Sequence, residues 1–274
     1  MDKQLRNSIF HQAKSWILEA GERIRENIDA PRSIETKSNP NDLVTEMDQQ
    51  TEQFFAEKIK EDYPEHYLLG EEGFGDDIEA LDGTVWIVDP IDGTMNFVHQ
   101  KRNFAISIGI YHDGIGEIGL IYNVMEDVLY SAKRGEGAYK NRMELPTLNK
   151  ERPLNQSILA LNTTWMIPEN PHIEHKGMQD LVKKIRSTRS YGSAALEFAF
   201  VAEGILDGYL TMTLMPWDFA AGAILVEEVG GVVTQANKQE LDLLNKSTVL
   251  ASRSPIHDEI IDDYVQLKKG KSDS

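Results

Sequence analysis

Apolar residues recur at helical spacing in the first stretch of the chain. Leu5, Ile9, Ala13, Trp16, Ile17, Ala20 and Ile24 mark one face of a long amphipathic helix. The Pro- and Asn-containing segment APRSIETKSNPND then breaks the pattern. Asp42 is placed to cap a second helix whose apolar face runs Leu43, Met47, Phe54, Phe55 and Ile59. Beyond it the period changes. Short apolar runs, HYLLG, TVWIVDP, FAISIGIY, GEIGLIYNV and DVLYSA, predict strands, several joined by Gly-containing turns as in an antiparallel meander. After about residue 150 the elements alternate: SILALN and DGYLTMTL as strands, QDLVKKI, SAALEFAFVAEG and DFAAGAILVEEVGG as helices, and a last helix from near Pro255. Strand runs followed by alternation predict stacked α/β layers. No Pro-, Gly- or Ser-rich linker separates the halves, so the 274 residues are expected to form one domain, with subdomains at roughly 1–148 and 149–274.

Composition narrows the chemistry. There are 45 Asp and Glu against 28 Lys and Arg, a formal net charge of −17. Such a surface repels nucleic acid and anionic lipid, so neither is an expected partner. It equally repels a phosphorylated metabolite, whose site would need bound cations or concentrated donors. Cysteine is absent, which removes disulfides, a thiolate nucleophile and Cys-ligated zinc. No stretch approaches the roughly 18 consecutive apolar residues of a spanning helix, and the start has no signal-peptide run, so a cytoplasmic location is expected.

The most informative stretch is WIVDPIDGTMNFVH. Trp86, Ile87 and Val88 read as a buried strand that ends at Asp89, and Pro90 is expected to stop the ladder there. Asp92, Gly93 and Thr94 follow in a turn, and a short helix through Met95, Asn96 and Phe97 would offer free amides to a phosphate. Two carboxylates three residues apart around a tight turn can converge on a hard cation such as magnesium. A second strand tip carries Glu71 and Glu72 in GEEG. Asp218, in PWDF, reads as the N-cap of the helix from Phe219 to Val229. Asp48 by itself reads as a solvent-facing acid on the second helix.

Taken in order, DLVTEMD (Asp42 to Asp48), GEEG, DPIDGT and PWDFAAG resemble the inositol monophosphatase family. The likeness extends over nearly the whole chain, GSAALEFAFVAEGILDGYL included. It implies a layered αβαβα sandwich of the inositol monophosphatase and fructose-1,6-bisphosphatase type. It also implies a magnesium-dependent, lithium-sensitive phosphatase, commonly a homodimer, with two to three Mg2+ per site and a small phosphorylated metabolite as partner. By the same resemblance, Glu71 and Asp89 hold a first magnesium with the carbonyl of Ile91, and Asp89, Asp92 and Asp218 hold a second. A third leans on Glu71. Thr94, paired with Asp48, orients the attacking water. Amides near Gly93 and Thr94 take the phosphate. Gly192, Ser193 and Ala194 open the turn that touches substrate, and Lys37 lies on a mobile loop that approaches the metals. The resemblance also implies direct in-line attack by metal-activated water, and the metals make chemical sense because charge stabilisation must supply most of the acceleration of so slow a hydrolysis.

One position departs from the family. Inositol-preferring members carry an acid seven residues before the last aspartate, where this chain has Thr211. A hydroxyl there leaves room for NADP(H) 2′-phosphate, sugar or nucleotide esters as alternatives to inositol monophosphate. A regulatory, protein-binding role is the alternative from another class. Gly114 to Gly119 satisfies GxGxxG but continues into a strand, which predicts a hairpin rather than a dinucleotide site. Asp89 and Asp92 are one residue too far apart for the Asp-x-Asp of aspartyl-phosphate enzymes.

Overall fold

The computed structural model describes residues 1–30, 34–36 and 43–268, with 34–36 and 43 in backbone alone. Lys37 and Asp42 lie outside the described residues. Helix α1 (Lys3–Asn27) starts where the Asp2 side chain accepts from the amides of Gln4 and Leu5. Its predicted apolar face is buried except for Leu5, which is exposed. Strands β1 (Ile34–Thr36) and β2 (Leu43–Thr45) pair antiparallel, so Leu43 is strand rather than helix. Helix α2 (Glu46–Asp62) is capped by Thr45, not Asp42. The Thr45 hydroxyl accepts from Met47 N while Asp48, at the third helical position, accepts from Thr45 N.

A seven-stranded sheet follows, with β3 (Tyr67–Gly70) at its edge and parallel to β4 (Thr84–Asp92). Helix α3 (Thr94–Gln100) comes next. After it β5 (Ala105–His112), β6 (Ile115–Asn123) and β7 (Val128–Lys133) run on as the predicted antiparallel meander, which two short strands outside the prediction, β8 (Ala138–Lys140) and β9 (Met143–Glu144), extend. The rest of the chain supplies β10 (Ile158–Leu161), α4 (His175–Lys184), β11 (Ser187–Arg189), α5 (Ala194–Ala202) and β12 (Gly208–Leu214). It continues with α6 (Pro216–Glu228), β13 (Gly231–Thr234), β14 (Ser247–Arg253) and α7 (Ser254–Tyr264). These strands form a mixed five-stranded sheet, ordered β11-β10-β12-β14-β13.

Strand parity assigns the layers. In β4, Trp86 and Val88 pack with α1 and α2, whereas Val85 and Ile87 pack with α5 and α6. In β14, Val249 and Ala251 face α5 and α6, while Leu250 faces α4 and α7. The order is therefore helices, sheet, helices, sheet, helices, as the family resemblance implied. Trp86 and Phe198 are fully buried, and truncating such a side chain typically costs about 3–5 kcal/mol. Gly119 of the GxGxxG string sits under α6: a Cβ there would lie 2.6 Å from the Ala221 carbonyl oxygen. The glycine lets the helix close on the sheet, and β5 and β6 form the expected hairpin. Among the described residues, no helix is long and apolar enough to cross a membrane.

Candidate active site

Strand β4 does not end at Asp89. Asp89 pairs with Ser107 and Asp92 with Ala105, so three residues on β4 span two on β5. Pro90 cannot donate to the ladder, and the extra residue is taken up as a bulge. The bulge resets the parity of the strand. Ile91 turns to the α1–α2 side, opposite Ile87. Asp89 and Asp92, three apart and on opposite faces of a regular strand, thereby come to the same face. Asp218 meets them from α6. It is the third residue of that helix rather than its N-cap. Met215 is the N-cap, and its amide donates to Asp218 Oδ2 at 2.7 Å.

Asp89, Asp92 and Asp218 each offer an oxygen, and the three oxygens lie within 4.8 Å of one another. Burial, and then the charges of Glu71, Asp92, Asp218 and Asp48, raise Asp89 well above the usual carboxylate range. Asp218 is raised by burial and by Asp92. Burial pushes Asp92 up to about 6, against the opposing pull of its hydrogen bonds to Ser193, Ala195 and Ala194. Glu71 follows the β3 tip, and its charge reaches Asp48, Asp89, Asp92 and Asp218. It stands outside the tight triad. The donors are hard carboxylate oxygens that repel one another when ionised, so a divalent cation of the magnesium class fits them.

Asp48 is buried, at 1% exposure, and not solvent-facing. Its Oδ2 accepts from Thr45 Oγ1 at 2.5 Å and Thr45 N at 2.9 Å. Its Oδ1 lies 3.3 Å from the Thr94 hydroxyl, which also lies 3.2 Å from the Ile91 carbonyl. Burial raises Asp48 to about 6. Gly93, at φ 92°, precedes α3, and a Cβ on it would sit 3.0 Å from the Gly192 carbonyl. At the predicted turn, Ser193 caps α5 and its hydroxyl donates to Asp92 Oδ2. Ala194 N and Ala195 N donate to the same carboxylate at 3.2 and 2.9 Å. The turn thus grips Asp92 while lining a cavity of about 370 Å³ that also holds Thr211 and Asp218.

Three buried contributors escape the sequence reading. Glu52, fully buried on α2, accepts from the amides of Glu72 and Phe74 and so braces the loop that carries Glu71. It shares a helical face with Asp48, Phe55 and Ile59, which is the available signal. Glu197 is a lone acid in the apolar run AALEFAFVA. It is raised to about 7 by burial, against the pull of the Tyr191 and Gly192 amides it accepts from. Asn96 donates to the carbonyls of Asn103 and Tyr191.

Comparison with known proteins agrees with this fold. Residues 6–269 match the model of the inositol monophosphatase family. The inositol-1-monophosphatase of Bacillus subtilis (strain 168) is 54% identical over 94% of this chain and 96% of its own. Structures of SaIMPase-II with bound 2′AMP and with bound inositol monophosphate are 44% and 43% identical. They superpose with TM-scores of 0.85 and 0.84, each covering 94% of this chain and 94% and 93% of their own. An IMPase/NADP phosphatase complexed with Mg2+ and phosphate is 27% identical, with a TM-score of 0.85 over 94% of this chain and 95% of its own. The chain belongs to the inositol monophosphatase family of phosphomonoester hydrolases.

Proposed function

We propose that the chain hydrolyses phosphate monoesters of small, neutral, hydroxyl-bearing alcohols, with inositol monophosphate as the leading substrate, at a magnesium centre held by Asp89, Asp92 and Asp218. Glu71 and the Ile91 carbonyl complete the donor set. The observation that carries this reading is the convergence of three carboxylates, two buried and one half-buried, within 4.8 Å at the mouth of a substrate-sized cleft. Magnesium bound there would supply positive charge to the phosphoryl oxygens and acidify a water. Thr94 shares its hydroxyl proton between Asp48 Oδ1 and the Ile91 carbonyl, which leaves its lone pairs to receive a proton from that water. Asp48, held on its far oxygen by Thr45, keeps its near oxygen toward the Thr94 hydroxyl and is placed to take up the proton that the hydroxyl passes on.

Beyond the acids, the cleft presents Asn162, Thr164, Ser190, Thr211 and Thr213, and Glu197 is its one further charged lining residue among those described. Amides and hydroxyls suit the hydroxyls of a polyol or ribose. A second phosphate on the alcohol would meet acids instead. NADP(H) 2′-phosphatase activity is the second reading, favoured by the likeness to an IMPase/NADP phosphatase. The deciding experiment is phosphate release with Mg2+ from inositol monophosphate, 2′-AMP, NADP and a sugar bisphosphate. Inositol monophosphate and 2′-AMP should lead, and chelator should abolish turnover. Release from none of the four would overturn the proposal, and a dominant NADP rate would favour the second reading.

A further inference from the structure

Buried side chains hold the Tyr191 backbone on both sides of its Cα. Its N–H donates to Glu197 Oε1 at 2.6 Å, and its carbonyl accepts from Asn96 Nδ2 at 2.7 Å. Glu197 also accepts from the Gly192 amide. Asn96 donates a second time, to the Asn103 carbonyl at 2.8 Å. Gln100 Nε2 donates to Asn96 Oδ1 at 2.8 Å, which fixes the way that amide faces. Asn96 and Glu197 are 6% and 5% exposed.

These contacts close a ring. Two residues past Tyr191 begins the α5 N-terminus, where Ser193 Oγ, Ala194 N and Ala195 N bond both oxygens of Asp92. Four residues past Asp92, along α3, stands Asn96, which returns to Tyr191. The ring joins Asp92, on β4 of the seven-stranded sheet, to α5, which packs between the sheets. We propose that Asn96 and Glu197 are positioning residues for the magnesium site, acting through the Tyr191 backbone to set Asp92. This rests on the reading of Asp92 as a magnesium ligand. Neither residue need touch metal or substrate, in the manner of the outer hydrogen-bond partners that orient metal ligands elsewhere.

The test is isothermal titration of Mg2+ into the wild-type protein and into Asn96→Ala, Glu197→Ala and Gln100→Ala. Metal-free melting temperatures are measured in parallel. The expected result is a Kd weakened about tenfold or more in the first two variants, the scale found for such partners. Gln100→Ala, an exposed change, should weaken it less but measurably, and it decides the matter if the buried variants fail to fold. Wild-type Kd in every folded variant overturns the proposal, even where metal-free stability has dropped. Absence of Mg2+ uptake by the wild type itself would instead remove the metal reading beneath it.

Discussion

Thr94 and Asp48 come from different elements, yet the Thr94 hydroxyl oxygen lies 3.3 Å from Asp48 Oδ1 beside the acid triad. Asp48 is fixed by its own helix cap, because Thr45 occupies the other carboxylate oxygen through both its amide and its hydroxyl. Thr94 is fixed as the first residue of α3. The pair is therefore preorganised by two helix starts rather than by a flexible loop.

Removing the hydroxyl tests its role. Thr94→Ala should lower kcat by about 10²–10⁴-fold, the range for loss of a positioned proton-transfer group. Mg2+ affinity should hardly change, since Thr94 is not among the triad. Steady-state phosphate release and Mg2+ titration on the same sample separate the two, and Thr94→Ser should restore most of the rate.

Charge burial at Asp89 makes a pH prediction for the metal-free protein. The folded-state pKa of Asp89 is raised well above 3.8 by burial and by neighbouring acids. The protonated form is the one the fold favours, so Asp89's stabilising contribution is complete below its unfolded pKa and is lost as pH climbs through the folded one. Asp48 and Asp92, both raised to about 6, act in the same sense. His257, depressed to about 4 by burial, acts in the opposite sense over the acid part of the range. Comparison with Asp89→Asn isolates Asp89's share. In chelator, the variant and wild type should melt together near pH 4, and the variant should melt progressively higher toward neutral pH. A gap that closes with rising pH would contradict the burial argument.

Much of this was legible in the sequence for identifiable reasons. The strands of the meander and the helices of the second half announce themselves by period, and DPIDGT by its unusual density of chemistry. Three features were not legible from local pattern. Pro90 suggested a strand end, but the ladder resumes after one extra residue because Asp92 can still pair with Ala105. Helix starts were misplaced at Asp42 and Asp218 because several capping residues compete within a few positions. Thr45 won the first by pairing with Asp48, and Pro216 fixed the second three residues early. The buried acids Glu52 and Glu197 could not be told from surface charges without knowing which helical face met the sheets.

Glu52 yields a prediction about order rather than chemistry. Its two oxygens accept from Phe74 N at 2.9 Å and Glu72 N at 2.7 Å. Glu52→Gln keeps an acceptor for one amide and turns a donor toward the other. Hydrogen–deuterium exchange at Glu72 and Phe74 should quicken, and kcat should fall through the loosened Glu71. Unchanged exchange at both amides would show that the loop is braced by other means.

Thr211 lies in the cleft at 5% exposure, where inositol-preferring relatives are expected to present an acid. Thr211→Glu should move the ratio of kcat/KM for inositol monophosphate over 2′-AMP upward by about tenfold, the size of one pocket contact. The readout is a competition assay with both esters present. A ratio that stays constant would mean that recognition of the alcohol lies elsewhere in the cleft.

Crystals grown with Mn2+ and phosphate provide the most direct measurement, because the anomalous signal locates the cation independently of turnover. The account predicts a peak within bonding distance of carboxylate oxygens of Asp89, Asp92 and Asp218, with phosphate beside it. A cleft that stays without a peak while Mn2+ is bound elsewhere on the protein would contradict it.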